Sequence, residues 1–279
     1  MSYDLFLQPA GSKPCAAHEF AEYFADRPHY TLKHGQAWYE NEDTGVYFSI
    51  ELCEEEAGEG AWASFNMNFF RPHVFALEAV PELEALVKGL DLAVWYPDSD
   101  SEVGRFEAFD AERFRKSWSV GNEFAFRAMR QQGLEKPVVP SAVVEATWRW
   151  NHARGRLQKR LGEDLFVPKI MFIEGEDGPC TASVWDDAIP CLLPVTDEVI
   201  LYRVETAPRR RLKRQRGLAQ VSWAELEPIL GGYEEKSALH PHRVLNYAHP
   251  PEKLLRFFRA QPILAEVRTG LKLDDILSG

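Results

Sequence analysis

Long apolar runs are missing from this chain of 279 residues, and with them the ~20 consecutive apolar residues that a membrane-spanning helix requires. Cysteine is scarce: Cys15, Cys53, Cys180 and Cys191 lie far apart, with no CxxC pair. That spacing excludes a disulfide framework and implies reduced thiols in a cytoplasmic protein. The opening MSYDLFLQPAGSKP carries Asp4 and lacks a basic segment followed by an apolar core, so it is not patterned as a secretory signal. Glycine and proline number only 18 each, which rules out a collagenous or low-complexity chain, and a 45% hydrophobic content is enough to build a core. Nucleotide cradles are absent too: neither GxxxxGK[ST] nor GxGxxG occurs. The nucleophile-elbow pattern GxSxG and the zinc-protease pattern HExxH are also missing.

Charge is present, but unevenly. The formal net charge is −11, and residues 1–140 hold 24 acidic against 12 basic side chains, so the first half carries all the excess. Such a half is a poor match for phosphate and favours basic protein partners, cations or simply solubility. At ~150 residues per domain the length allows one large domain or two.

Hydrophobic periodicity places elements along the chain. Residues 3–7 predict a buried strand, and Ser12 is a candidate cap for the helix carrying Phe20, Tyr23 and Phe24. Two extended runs, 36–40 and 46–52, flank the turn-rich NEDTG and predict a hairpin. Residues 61–69 alternate, with Phe65, Met67 and Phe69 on one face and Trp62, Ser64, Asn66 and Asn68 on the other. A helix is expected over 82–88 with Pro81 at its start, then a strand over 90–95. Helices are predicted over 111–130, with aromatics at 114, 118, 124 and 126, and over 141–161. Strands follow over 167–174, 181–185, 198–204 and 218–221, then a helix with the capping-box spacing Ser222/Glu225, and a last helix over 252–260. The fold class is therefore α+β: largely antiparallel sheet modules at both ends and a central pair of helices. The expected parts are an acidic module over 1–104, the helical pair over 105–165 and a β-rich module with a C-terminal helix over 166–279, packed as one or two domains.

Motifs with chemical potential are few. His240, His242 and His249 cluster in a proline-rich stretch, where surface histidines are the favoured reading over a metal site. The acidic runs at 40–43, 54–56 and 186–187 lack the carboxyl geometry of an acid/base pair, because neighbours on a strand point to opposite faces. No cofactor, metal or catalytic group is expected; were there an active site, Glu40, Asp43, Arg71 and His73 are the residues a fold would have to assemble. The strongest candidate is QAWYENEDTGVYFS. Trp38, Tyr39, Glu40, Asn41, Glu42, Asp43 and Tyr47 combine aromatics with carboxylates, the composition of a hot spot for a basic partner. Only one of Trp38 and Tyr39 can face outward from a strand. A basic tract over 208–216, with Arg209, Arg210, Arg211, Lys213, Arg214 and Arg216, predicts an exposed hairpin loop. It has no interleaved aromatic for base stacking, so nucleic acid is a disfavoured partner and an acidic protein surface an equal one.

The stretches MSYDL, QAWYENEDTGVYFS, ASFNMNFFRPHVFALE, VPKIMFIEGEDG, VWDDAIPCLLP and VSWAELEPIL resemble a group of uncharacterised bacterial proteins, which in turn look like immunity proteins of bacterial toxin systems. The resemblance implies a cytoplasmic, non-enzymatic protein that binds and neutralises a toxin. It carries over no catalytic residue.

Overall fold

Alternation governs the first half of the chain. In Ser2–Pro9 (β1), Tyr3, Leu5 and Leu7 are buried and their neighbours are not. After Ala17–Phe24 (α1) come Tyr30–Lys33 (β2), Gln36–Asn41 (β3), Val46–Leu52 (β4) and Ala63–Asn68 (β5). Val74–Leu90 (α2), Leu92–Trp95 (β6) and Ala111–Gln131 (α3) complete this part. The computed structural model describes residues 1–11, 16–53, 62–97, 104–203, 209–210, 213–214, 217–265 and 268–279. Ser12 as a helix cap and the acidic run at 54–56 lie outside them.

The chain divides into two compact units, Met1–Lys136 with Ile276–Ser278, and Pro137–Asp275 with Gly279. Of the two central helices, α3 belongs to the first unit. In that unit six strands form one sheet in the order β2-β3-β4-β5-β1-β6, with every pairing antiparallel. The registers Leu5↔Phe65, Ile50↔Phe65 and Tyr39↔Phe48 put Leu5, Phe65, Ile50, Phe48 and Tyr39 on one face. All three helices cover that face. Phe24 of α1 meets Tyr30, Glu78 of α2 accepts hydrogen bonds from Tyr39 and Asn41, and Phe114 of α3 packs edge-on against Tyr3 and Phe65. Trp38, Glu40 and Tyr47 fall on the opposite face, where Tyr47 packs edge-on against Phe75 of α2 and Trp38 and Glu40 are exposed.

Two expectations need correction. The helix expected over 82–88 starts eight residues earlier, with Pro81 inside it. Val74–Val80 is buried almost all round, so it lacks the amphipathic period by which a helix announces itself. Pro81 withholds only the N–H that would have bonded the carbonyl of Leu77. The strand β2 was not anticipated: three of its four residues are exposed, and without burial there is no alternation to read.

The second unit opens with Val138–Val139 (β7) and Ser141–Leu161 (α4), followed by Ile170–Gly175 (β8), Gly178–Asp186 (β9), Cys191–Pro194 (β10) and Glu198–Arg203 (β11). Arg209–Arg210 (β12) pairs with Lys213–Arg214 (β13), then Gly217–Ser222 (β14) leads into Trp223–Leu230 (α5). Glu234–Lys236 (β15), His242–Leu245 (β16), Glu252–Ala260 (α6) and Gly270–Leu271 (β17) follow. Its main sheet runs β14-β11-β9-β8-β17 and contains one parallel pair, β9 with β11. A three-stranded sheet, β10-β16-β15, lies beside the core of Trp185, Leu193, Leu201, Val221, Leu226 and Phe258. The capping box forms as its spacing predicts: Ser222 Oγ accepts from the Glu225 N–H at 3.3 Å, and the Glu225 carboxylate accepts from the Ser222 N–H at 2.9 Å. Among the described residues no helix is long and apolar enough to cross a membrane.

Candidate binding face

The β3–β4 hairpin is built around its turn. Asn41 Oδ1 accepts from the Asp43 N–H at 3.1 Å, and the Asn41 carbonyl accepts from Gly45 at 2.7 Å. Gly45 sits at φ +80°, a left-handed conformation that a side chain would strain. Val46 then donates its N–H to Thr44 Oγ1 at 3.3 Å, closing the loop into the next strand.

Because strand residues alternate, the seven candidate residues separate into two sets. Trp38 is 39% exposed and Tyr39 is buried. Tyr39 stacks on Phe48 with centroids 4.4 Å apart and planes 6° from parallel. Asn41 is buried as well. These two side chains belong to the support beneath the hairpin, not to a surface that a partner touches, which corrects their assignment to partner contact.

Beneath the hairpin lies Glu78 of α2, only 1% exposed. Its Oε1 accepts from Tyr39 Oη at 2.7 Å, Asn41 Nδ2 at 2.6 Å and Thr44 Oγ1 at 3.1 Å. A buried carboxyl is tolerable only with such partners, so the hairpin and α2 fix one another. Burial pushes the Tyr39 phenol up, helped by the charge and hydrogen bond of Glu78. Burial and the Glu82 carboxylate do the same for Tyr30, and Glu82 itself takes a 2.8 Å salt bridge from Arg27. Both phenols are therefore held as donors.

The outward set forms a surface. Trp38 lies diagonally across from Tyr47, their rings 5.8 Å apart and 18° from parallel. Arg71 holds Tyr47 in place: its Nε and Nη2 donate to the Tyr47 hydroxyl at 3.0 and 2.6 Å, and its guanidinium lies 5.6 Å from the ring centroid. The Arg71 backbone is fastened in turn. Asn122 of α3, buried, accepts from the Phe70 N–H at 2.6 Å and donates to the Arg71 carbonyl at 2.8 Å. Phe70 stands at φ +65°, which a bulky residue adopts only under such constraint, at a cost of ~1–3 kcal/mol. Glu40 sits opposite Tyr47 in the ladder, exposed, and Glu42 is exposed at the turn. An open cleft of ≈ 370 Å³ beside them is lined by His29, Tyr30, Thr31, Glu40, Glu42 and Asp43.

The other candidates are dispersed. Of the four residues named for a possible active site, Arg71 is brought to Tyr47, while His73 precedes α2 and gives its backbone N–H to Ser278 Oγ at 3.1 Å. The three histidines do not form one cluster: His242, buried, and His240, half-buried, both lie against Trp150, while His249 is exposed. Among the described residues no group of three His, Cys, Asp or Glu could hold a metal ion. Of the basic tract, only the backbone of Arg209–Arg210 and Lys213–Arg214 is described; these segments pair antiparallel, as a hairpin loop requires. Residues 208, 211, 212, 215 and 216 lie outside the described set.

Sequence reasoning missed Glu78 and Asn122. The signal for Glu78 was present, since it is the one charge in the apolar run 74–80. Asn122 had none, because a polar residue in a polar helix looks like surface. Comparison with family models, curated proteins and solved structures finds no match to this chain.

Proposed function

We propose that this chain is a non-enzymatic protein-binding protein whose first unit presents Trp38, Tyr47 and the acidic end of the β3–β4 hairpin to a basic protein partner, as a cytoplasmic immunity protein does to a bacterial toxin. The observation that carries the reading is the Trp38–Tyr47 stack: a half-exposed aromatic pair whose Tyr47 is fixed by Arg71 and by Phe75 of α2. Rigid aromatics contribute contact area at little entropic cost, and aromatic anchors dominate interface energetics. Glu40, Glu42 and Asp43 add carboxylates beside them, which suit a cationic surface and raise its rate of approach. The Glu78 network makes the face pre-formed, so binding need not order the hairpin.

The test is capture of the product of the neighbouring reading frame by the full chain, since immunity genes sit beside their toxins. Binding should be 1:1, weaken as salt is added, and disappear with the charge reversals Glu40→Lys and Glu42→Lys introduced together. A partner whose affinity ignores both salt and those reversals would show that the acidic hairpin end is not the contact.

A further inference from the structure

The face of α3 turned away from the sheet is unlike the rest of its unit. Phe114, Trp118, Asn122 and Ala125 are buried, but Val120 is 63% exposed and Phe124 67% exposed. They stand one helical turn apart, so they form a single apolar stripe. Apart from Met1, no large apolar side chain among the described residues is more exposed than these two. Isolated surface hydrophobics need no explanation, but an aligned pair on a helix that already buries its other side does.

The stripe is flanked by cations. Lys116 and Arg127 occupy the same side at i−4 from Val120 and i+3 from Phe124, and both are exposed, with Glu123 beside them paired to Arg127 at 3.3 Å. The whole of α3 carries five Lys or Arg against two Glu, whereas the rest of residues 1–140 carries seven against 22. One net-basic helix with an exposed apolar stripe therefore sits on a strongly acidic unit.

The complement of that face is present on the same chain. Trp38 is exposed and stacks on the half-buried Tyr47, Glu40 and Glu51 lie on the same side of the sheet, and both carboxylates are exposed. The α3 stripe and the Trp38 face occupy opposite layers of the unit, because α3 packs on the face that carries Phe65 and Trp38 points to the other. A copy cannot close the contact on itself. We infer that the chain self-associates head to tail, the Val120/Phe124 stripe of one copy docking on the Trp38–Tyr47 face of the next.

Such a contact is heterologous: the two surfaces that meet are different, so an open assembly retains one free surface of each kind, at its two ends, until a ring closes. The contact also has a regulatory consequence. It covers the face assigned above to a basic partner, so self-association and partner binding compete. The inference rests on the reading of the Trp38 face as a docking surface, but needs no toxin in order to be tested.

Sedimentation velocity of the full chain at low salt is the experiment. The weight-average mass should rise with concentration and fall back to that of the monomer as salt is added. Phe124→Ser and Trp38→Ser should each weaken association at least roughly tenfold, as truncation of a central aromatic does. Mixed in equal amounts, the two variants should form a 1:1 pair, since each keeps the surface that the other lacks. Val120→Ser and Glu40→Lys serve as second variants on the two surfaces, and all four side chains are exposed, so folding is checked by an unchanged thermal transition. A monomeric wild type at low salt overturns the inference. So does a Phe124→Ser chain that still assembles, or a pair of variants that stay apart when mixed. Phe124→Ser keeps the partner face intact: if it remains monomeric, mixes as expected and yet binds no basic partner, the functional proposal falls and this one stands.

Discussion

Replacing Glu78 with Ala should unfasten the hairpin from α2, and the structure sets the size of the effect. Glu78 is buried and accepts from Tyr39, Asn41 and Thr44. Its removal leaves three donors in a dry interior, where each unsatisfied group costs ~1–3 kcal/mol. Some relaxation will let Asn41 and Thr44 at the turn reach water, so the expected loss is ~3–5 kcal/mol, in the range for breaking a buried polar pair. Tyr39→Phe alone should cost only ~1–2 kcal/mol, because the ring still stacks on Phe48 and Glu78 keeps two partners. The informative variant is the double one. Once Glu78 is gone, Tyr39→Phe removes a hydroxyl that has already lost its acceptor, so its cost should vanish or change sign. The cycle should therefore give a coupling of ~1–2 kcal/mol. Urea unfolding followed by tryptophan fluorescence measures all four proteins. A Glu78→Ala loss under ~1 kcal/mol, or additive effects in the double variant, would refute the network as the fastening of the hairpin.

Arg71→Met should cost ~1–2 kcal/mol of stability through its two hydrogen bonds to Tyr47, and should weaken partner binding without touching the partner; equilibrium titration separates the two. Gly121→Ala improves helix propensity by ~1 kcal/mol, yet its Cβ would stand 2.5 Å from Phe69 Cζ, so thermal unfolding should show net destabilisation. Burial depresses the His240 imidazole, with a smaller contribution from His242 and against the Val195 carbonyl bond. The neutral ring is thus the folded form, and its contribution is complete above the unfolded value of ~6.5 and lost as pH falls through the lower folded value. His240→Gln should flatten that part of the stability–pH curve, and an unchanged slope below pH ~6.5 would contradict the assignment.

Where burial alternates, the elements could be read from residue order alone. The hairpin arms expected at 36–40 and 46–52 and the strand at 61–69 fall within a residue or two of those observed, helix formers after Pro140 place α4, and Ser222/Glu225 marks a helix start unaided. Exposed β2 and the all-buried start of α2 carry no period, for opposite reasons. The division of the hairpin into an outer Trp38 and an inner Tyr39 was legible as a choice but not as an outcome. Which side is covered depends on three helices that meet it from residues 17–24, 74–90 and 111–131. Phe124 shows the same limit from the other direction: its spacing from the aromatics at 114 and 118 places it on α3, and only packing shows that it points to solvent.

Trp38→Ala probes the binding face most directly, with stability and partner affinity measured on one preparation. Trp38 is half-exposed at the surface, so the thermal transition should stay within the small range of surface substitutions, ~0.5 kcal/mol. Affinity for the basic partner should fall by ~2 kcal/mol, about 30-fold. Tyr39→Ala, buried against Phe48, should behave oppositely at the first step and lose ~3–5 kcal/mol of stability. A Trp38→Ala chain that is as stable as wild type and binds the partner equally well would contradict the claim that this face is where the protein acts.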